Sequence, residues 1–252
     1  MQKRQLMLIL ACIITTLAII MLAVLMIPGR GIHYVSSATL RQHFYLHNGW
    51  YYDGRDWAFV QGGHKVTGTR QINGVTYHFA RDGKQVLPYR ISYQYQLSSN
   101  QGTSQPASSK YIILHDVGSR ADGQQAASFM QRTANFIVGN GGTVYQMKRP
   151  GIVSWGAGVT ANQNAPVQIE LGHASSQSIF RADYRAYVAL ARDMAGKYDI
   201  PLALDQGSTG SKGIKSHRWV SQHIWGDHQD PYEYLTRYGV SKQELANDLA
   251  GK

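Results

Sequence analysis

A long apolar run near the N-terminus sets the first constraint on how this chain folds. From Leu6 to Pro28 the sequence reads LMLILACIITTLAIIMLAVLMIP, in which only two threonines are mildly polar. About 20 apolar residues suffice to cross the hydrocarbon core of a bilayer. Because Lys3 and Arg4 precede the run, we expect residues 1–28 to form a transmembrane signal-anchor with a cytoplasmic N-terminus. Everything after Pro28 would then lie at the outer face of the cell membrane.

A cleaved signal peptide is the alternative for this segment. Signal peptides usually have a shorter apolar core, followed by a small-x-small cleavage site. The residues after Met26 read IPGRGIHY and offer no such site, which favours the uncleaved anchor; cleavage would make the protein secreted. The one cysteine of the chain, Cys12, lies inside the run. Neither an intramolecular disulfide nor a cysteine-based zinc finger can therefore form.

Charge is spread unevenly along the 252 residues, whose formal net charge is +10. Residues 1–109 hold 10 Lys or Arg and 3 Asp or Glu, giving +7, and residues 110–252 hold 15 and 12, giving +3. A basic N-terminal part suits an anionic polymer or an anionic lipid surface, and serves equally as a solubilising charge. The sequence has no basic helix and no dense Lys/Arg run of the kind that binds nucleic acid, so we expect no nucleic-acid partner. We also expect the protein to be a monomer.

Two aromatic segments in the region 29–92 begin with Asn-Gly. Residues 48–52 read Asn-Gly-Trp-Tyr-Tyr, and residues 73–79 read Asn-Gly-Val-Thr-Tyr-His-Phe. Asn-Gly next to strand-like runs is a strong signal for a β-hairpin. The second segment resembles the cell-wall-binding repeats of secreted Gram-positive proteins, which implies exposed aromatics that bind wall polymers. Alternatively, the same rings form the small core of the hairpins. The rings concerned are Trp50, Tyr51, Tyr52, Tyr77 and Phe79.

A Ser- and Gln-rich stretch separates these segments from the rest of the chain. Residues 97–110 read LSSNQGTSQPASSK and show no apolar period, which indicates a linker. We therefore expect four parts: the anchor at 1–28, a β-hairpin region at 29–92, a linker at 93–109 and a C-terminal domain at 110–252.

The C-terminal domain alternates between strand-like and helical patterns. The predicted elements are a buried strand at 111–114, a helix at 126–132, a hairpin at 135–146, a strand at 166–171 and an amphipathic helix at 178–198. This order predicts an α/β or α+β domain in which helices flank a central mixed β-sheet.

Four polar positions follow these elements in a recognisable order. His115 ends the first strand, Glu170 lies near the end of the strand VQIEL, His217 follows a Gly-rich loop, and Asp230 precedes Pro231. Together with the hairpin NFIVGNGGTVYQ, residues 110–240 resemble the zinc N-acetylmuramoyl-L-alanine amidases, which share a fold with peptidoglycan recognition proteins and phage lysozyme-type amidases. The resemblance implies a peptidoglycan hydrolase that cleaves the amide bond between N-acetylmuramic acid and L-alanine.

The resemblance also implies a Zn²⁺ site at one edge of the sheet. Carried over to this sequence, the ligands are His115, His217 and Asp230. Three protein ligands with a fourth position left for water are typical of catalytic zinc. The alternatives are that His228 is the third ligand, that Asp230 only caps the helix after Pro231, or that His115 is an ordinary core histidine.

Catalytic and substrate-binding roles can be carried over in the same way. Glu170 corresponds to the base that takes a proton from the attacking water and passes it to the leaving amine, or else is a buried, paired carboxylate. His228 stands where relatives often carry a lysine, and would support the carbonyl oxygen as charge develops. Trp155, Asn164 and Trp219 are the candidate groove residues.

The sequence departs from the family pattern at two positions. Where relatives often have Trp-His-Ala-Gly, this chain has Gly156 in place of the histidine, and Ala134 stands where some relatives have a tyrosine. A non-catalytic peptidoglycan-binding receptor on the same fold is therefore the rival function, although such proteins typically lose a metal ligand. A zinc peptidase is disfavoured because no His-Glu-x-x-His helix is present. The expected partners are peptidoglycan, anionic wall polymers and the membrane.

Overall fold

The computed structural model describes residues 32–41, 46–98 and 101–252. The apolar run at 6–28, predicted to be a membrane anchor, lies outside these residues. In the part of the chain that is described, no helix is both long and apolar enough to span a bilayer. The chain divides into two compact units between Val66 and Thr67.

The described residues of the first unit form a four-stranded sheet and one short helix. Its elements are β1 (Ile32–Tyr34), α1 (Ser37–Arg41), β2 (Gly49–Tyr52), β3 (Trp57–Gln61) and β4 (His64–Lys65). The strands are adjacent in numerical order; β1 pairs with β2 in parallel and the other pairs are antiparallel. Asn48-Gly49 starts β2 instead of forming a hairpin turn. The β2–β3 turn is built on Asp53, whose Oδ1 accepts the backbone N–H groups of Arg55 and Asp56.

The aromatic rings of both Asn-Gly segments are buried, so the prediction that they are exposed is wrong. Trp50, Tyr51 and Tyr52 fill the core of the first unit, and Tyr77 and Phe79 are buried in the second unit. A region this small buries little surface on folding, so its largest rings are needed for its own core. The alternative, that the rings form the small core of the hairpins, is confirmed for the first segment, whereas Tyr77 of the second packs against the helix that carries Asp193 and Gly196.

The second unit is built on a six-stranded mixed sheet, as predicted. Its strands are β7 (Arg90–Ser92), β8 (Tyr111–Asp116), β9 (Phe136–Gly139), β10 (Thr143–Gln146), β11 (Val167–Leu171) and β12 (Gly213–Ser216). The spatial order is β12-β8-β11-β9-β10-β7, and only the β9–β10 hairpin pairs antiparallel. The central strands β8 and β11 are almost entirely buried; β8 is mostly apolar, whereas β11 buries the polar side chains of Gln168 and Glu170 as well.

Six helices accompany this sheet. They are α2 (Gly123–Phe129), α3 (Val159–Gln163), α4 (Gln177–Lys197), α5 (His217–His223), α6 (Tyr232–Arg237) and α7 (Lys242–Ala250). The long helix α4 begins at Ser176, whose side chain accepts from the backbone N–H of Ile179. Phe180, Tyr187 and Leu190 recur on its buried face at the spacing predicted for an amphipathic helix.

A separate hairpin, β5 (Gly68–Ile72) and β6 (Val75–Phe79), belongs to the second unit as well. Its two-residue turn is Asn73-Gly74, with φ of 50° and 77°, as the Asn-Gly signal predicts. The Tyr77 hydroxyl donates to the Asp193 carbonyl of α4, and the Tyr89 hydroxyl donates to the Asp193 carboxylate. Asp193 also pairs with buried Lys197 at 2.7 Å. These contacts place residues 67–92 with the C-terminal domain, whereas the sequence grouped them with the first Asn-Gly segment.

Most of the predicted linker runs along the second unit in a fixed path. The backbone N–H of Leu97 donates to the Met147 carbonyl at 2.8 Å, and that of Ala107 donates to the Gly151 carbonyl at 3.0 Å. Its polar composition reflects exposure of its side chains, while its backbone is held by the domain. The separation between compact units therefore lies before β5 and not in this stretch.

Candidate active site

His115 occupies the fifth position of β8, where the chain is buried on both faces. Its Nε2 lies 3.1 Å from Oε1 of Gln168 on the neighbouring strand β11. Its backbone carbonyl accepts a hydrogen bond of 2.9 Å from the Tyr187 hydroxyl on α4. Both the ring and the backbone of His115 are thus fixed by the strands and the helix beneath it.

The side-chain amide of Gln168 determines which nitrogen of His115 carries the proton. Its Nε2 donates to the Ser154 carbonyl at 3.0 Å and to Oδ1 of Asn162 at 2.9 Å, so its Oε1 faces the histidine as an acceptor. His115 must therefore donate from Nε2, which leaves the Nδ1 lone pair free to bind a cation. Sequence analysis missed Gln168. Its signal was a polar residue in an apolar strand, two positions from Glu170 and hence on the same face.

His217 follows the edge strand next to β8, and Asp230 is held beside His217, so both lie close to the His115 ring. β12 pairs with β8, and His217 is the first residue of α5, directly after β12. The backbone N–H of Arg218 donates to the Asp230 carbonyl at 3.0 Å, which holds the two segments together. In the described chain the N-cap position of α6 is Pro231 and no side chain caps the helix, so Asp230 does not serve as a helix N-cap.

Three donor atoms converge at this point. Nδ1 of His115 lies 3.0 Å from Nδ1 of His217 and 3.4 Å from Oδ2 of Asp230, and Nδ1 of His217 lies 3.2 Å from Oδ1 of Asp230. Ligand atoms of the three residues all lie within 4.8 Å of one another. Two imidazoles and one carboxylate are suitable ligands for a divalent metal ion such as zinc.

Asp230 is ionised in this arrangement. Burial by itself would raise the pKa of its carboxyl, but the adjacent imidazoles of His115 and His217 hold the pKa below its usual range. Its Oδ2 is buried and has no hydrogen-bond partner among the described residues. A buried negative charge with an unused oxygen, facing two imidazole nitrogens, fits a site for a cation.

Glu170 lies on β11 directly opposite His115 in the strand register. Its side chain is buried, and its Oε2 has no hydrogen-bond partner in the described part of the chain. Burial raises the pKa of Glu170 to about 8, although the neighbouring His115 opposes the shift. Burial lowers the pKa of His115, but the charges of Glu170 and Asp230 outweigh it and raise that pKa to about 9. A desolvated carboxyl with a pKa near neutrality is typical of a general base.

His228 lies on the solvent side of the donor group. Its ring stacks on the His217 ring with centroids 4.0 Å apart, and its Nδ1 is 3.4 Å from Oδ1 of Asp230. The side chain is 56% exposed, whereas that of Asp230 is 12% exposed. Of the two candidates for the third ligand, Asp230 belongs to the group of converging donors and His228 lies beside it.

The three predicted groove residues have different positions. Trp155 is 46% exposed and remains a candidate for substrate contact. Trp219 is buried against Tyr111 in the core between α5 and the sheet, so the prediction that it lines a groove is wrong. Trp219 is two residues beyond His217 on α5, which turns its side chain toward the sheet. Asn164 ends α3, and its side-chain Nδ2 donates to the Thr160 carbonyl; it caps the helix.

Trp225 is an exposed aromatic that sequence analysis did not select. It is 66% exposed and stands in the same loop as His228. Its indole lies against Gly158, where an added Cβ would be 2.8 Å from Trp225 Cε3. Gly158 also has φ of +77°, so two constraints favour glycine here. The Trp-Gly-Ala-Gly stretch thus supports one exposed tryptophan and contains the other, Trp155.

The departure at Gly156 has a steric cause. An added Cβ at Gly156 would lie 2.6 Å from the Thr133 carbonyl oxygen and 2.8 Å from Oε1 of Gln168. A histidine at this position would collide with the amide that orients His115. Ala134, the other departure, is fully buried.

Comparison with known proteins agrees with this geometry. The family profile for N-acetylmuramoyl-L-alanine amidase matches residues 104–233, just over half of the chain. The endolysin of Listeria phage A511 is 42% identical over 148 residues, which are 56% of this chain and 43% of the endolysin. The lytic amidase of Streptococcus pneumoniae phage HB-3 is 34% identical over 101 residues, which are 38% of this chain and 31% of that protein. The chain therefore spans less than half the length of these relatives.

A solved structure supports the fold. The Staphylococcus aureus hydrolase AmiA, determined in complex with its ligand, aligns with a TM-score of 0.53 and 20% identity. The alignment covers 66% of this chain and 82% of AmiA. The residues of the site, from His115 to Asp230, all lie within the stretch matched by the family profile. The chain belongs to the N-acetylmuramoyl-L-alanine amidase family.

Proposed function

We propose that this protein hydrolyses the amide bond between N-acetylmuramic acid and L-alanine in peptidoglycan, with Zn²⁺ held by His115, His217 and Asp230. The observation that carries the proposal is the convergence of these three donors beside Glu170, whose buried carboxyl oxygen has no partner among the described residues. When bound, such a cation polarises a carbonyl and lowers the pKa of a water molecule.

Glu170 is the proposed general base. Ionised Glu170 accepts a proton from the attacking water, whose oxygen forms a bond to the lactyl carbonyl carbon. The same carboxyl then gives the proton to the alanine nitrogen as the carbon–nitrogen bond breaks, so the products are a carboxylate and a free amine. A raised pKa suits both steps, because it makes ionised Glu170 a stronger base and protonated Glu170 available near neutrality.

His228 and the two exposed tryptophans are proposed to act on the substrate. His228 is exposed beside Asp230 and would donate a hydrogen bond to the carbonyl oxygen as negative charge develops. Trp155 and Trp225 offer exposed rings, and aromatic faces suit the apolar faces of sugar rings.

A non-catalytic receptor is the rival proposal, and the two predict different outcomes. Receptors on this fold typically lack a metal ligand, and this chain retains all three. The full chain should be purified in detergent and incubated with peptidoglycan, with and without a chelator. New L-alanine amino termini, lost on chelation and restored by Zn²⁺, are the expected result by mass spectrometry. Tight binding without new termini would favour the receptor.

We further propose that the protein acts at the outer face of the cell membrane. The support is the apolar run from Leu6 to Pro28, with Lys3 and Arg4 before it. Fractionation and protease treatment of intact cells test this location. Recovery in the membrane fraction with an external protease-sensitive domain is expected, whereas a protected domain would contradict it.

A further inference from the structure

A buried carboxylate outside the donor group links the two chain segments that carry His217 and Asp230. Asp205 lies in the loop between α4 and β12, and its side chain is 2% exposed. Its Oδ1 accepts the backbone N–H of Ser216 at 2.7 Å, and its Oδ2 accepts the Ser216 hydroxyl at 2.8 Å. Oδ2 also accepts the Tyr232 hydroxyl and pairs with Lys242 Nζ at 2.9 Å.

The partners of Asp205 are adjacent to metal ligands in the sequence. Ser216 immediately precedes His217, and Tyr232 is two residues beyond Asp230. Ser216 also caps α5, because its hydroxyl accepts the backbone N–H of Trp219 at 3.0 Å. The carboxylate of Asp205 therefore joins the start of α5 to the start of α6. His217 is the first residue of α5, and Asp230 lies just before α6.

We propose that Asp205 is a positioning residue that fixes the separation of His217 and Asp230 before a metal ion binds. The inference rests on the proposed metal site. Ligands held in advance bind a cation without losing further conformational freedom, and residues that support ligands commonly change metal affinity when replaced. Asp205 touches neither the donor atoms nor the substrate, so its effect acts through Ser216 and Tyr232.

The alternative is that Asp205 only stabilises the fold. Buried carboxylates with several donors are also found where nothing is bound, and their loss lowers stability. The two roles differ in what else they change. A positioning role alters metal affinity and coordination geometry, whereas a purely structural role alters only the resistance of the protein to unfolding.

The principal variant is Asp205→Asn in the full chain. Asparagine keeps the shape and one acceptor, but replaces the other oxygen by an NH₂ group that cannot accept from Tyr232 and Ser216. Co²⁺ serves as the probe because its visible absorption reports coordination geometry. We expect Co²⁺ affinity to fall about 10- to 100-fold, with an altered visible spectrum.

Lys242→Met is the matched control. It removes the exposed ammonium that pairs with Asp205 and lies 5.2 Å from the centre of the Tyr232 ring, and it keeps an unbranched apolar side chain at this position. Because the hydrogen bonds from Ser216 and Tyr232 to Asp205 do not involve Lys242, this variant should bind Co²⁺ with wild-type affinity and spectrum.

Tyr232→Phe keeps the test decisive if Asp205→Asn does not fold. It removes one hydroxyl, and should weaken Co²⁺ binding in the same direction. Where both variants fold, their effects on Co²⁺ affinity should be non-additive in a double-mutant cycle, because they break the same link.

Two outcomes overturn the proposal in distinguishable ways. If the variants bind Co²⁺ like the wild type but unfold at lower urea, Asp205 is structural only, and the proposed function stands. If the wild type itself binds neither Co²⁺ nor Zn²⁺, the metal site and this inference both fail.

Discussion

Nε2 of His115 and Oε1 of Gln168 lie 3.1 Å apart on adjacent strands, and this contact sets the tautomer that leaves Nδ1 available as a ligand atom. Replacing Gln168 with leucine puts an apolar side chain of roughly similar size in its place and so removes the acceptor for His115 Nε2. We expect metal affinity to fall about 10- to 100-fold, because the His115 ring can then rotate or change tautomer. Competition with a chromogenic chelator measures the affinity.

Gln168 also bonds to Ser154 and Asn162, so stability must be measured alongside. Asn162→Asp keeps the Oδ1 acceptor used by Gln168 and serves as the comparison. Unchanged metal affinity in Gln168→Leu, with only a lower unfolding midpoint, would contradict the role assigned to the amide.

Glu170→Gln tests the base directly. Glutamine has the same shape but cannot accept the proton, so kcat should fall by about 10²–10⁴. Zn²⁺ content should be retained, because Glu170 is not among the three converging donors. Release of L-alanine amino termini and metal analysis are measured on the same sample. Full activity in this variant would assign the base elsewhere.

The metal-free protein should lose stability as pH rises toward neutrality and beyond. Burial raises the pKa of Glu170 to about 8 from 4.5. The pKa of His115 is lowered by burial but raised overall, from 6.5 to about 9, by Glu170 and Asp230. The folded state therefore binds more protons than the unfolded state, and the free energy of unfolding falls with pH. The stabilisation from these two groups is fully present below their pKa values in the unfolded state, and it is lost as pH rises through their pKa values in the folded state.

Urea unfolding of chelator-treated protein, from about pH 5 to about pH 8, measures this loss. Burial lowers the pKa values of His217, Lys148 and Lys197, which contribute in the opposite sense, so the comparison is with Glu170→Gln, which retains all three. The difference in unfolding free energy between wild type and variant should move in favour of the variant as pH rises. A constant difference would contradict the shifted pKa values.

Gly156→His introduces the histidine that the family resemblance would place here and is nevertheless expected to inactivate this protein. Its Cβ would lie 2.6 Å from the Thr133 carbonyl oxygen and 2.8 Å from Gln168 Oε1, so the backbone or the amide must move. Overpacking of this kind typically costs about 1–3 kcal/mol. Activity and thermal unfolding should both fall. Gly156→Ala, which carries the same Cβ without the ring, should lose a similar part of the stability.

Much of the second unit was predictable because its signals are local. The strand at 111–114, the hairpin at 135–146 and the helix at 178–198 are encoded by apolar periodicity and by turn residues within each segment. His115, His217 and Asp230 could be identified as a group only through the resemblance, since they lie on three separate elements. The structure shows that parallel pairing of β8 with β12 brings His115 and His217 together, and the bond from the Arg218 N–H to the Asp230 carbonyl adds Asp230.

The failures concern what packs against each segment. Trp219 is an aromatic residue of the kind that often lines sugar-binding grooves, but its position on α5 directs its side chain into the core. The aromatic rings of the Asn-Gly segments were predicted to be exposed because a strand pattern does not specify which other part of the protein packs against each face of the strand. Gln168 was missed because a single polar residue in an apolar strand can be paired in many ways, and only the register with β8 identifies its partner.

The placement of β7 has a consequence for where the chain can be cut. β7 pairs with β10 along one margin of the six-stranded sheet, and the hairpin at 68–79 covers the buried Asp193–Lys197 pair. A fragment beginning at residue 93 would leave the backbone groups of β10 open to another chain, and such unprotected strand margins promote self-association. It would also expose an ion pair that now lies away from water. A fragment that keeps these contacts must therefore begin ahead of Gly68, and the second aromatic hairpin is a covering piece of the second unit.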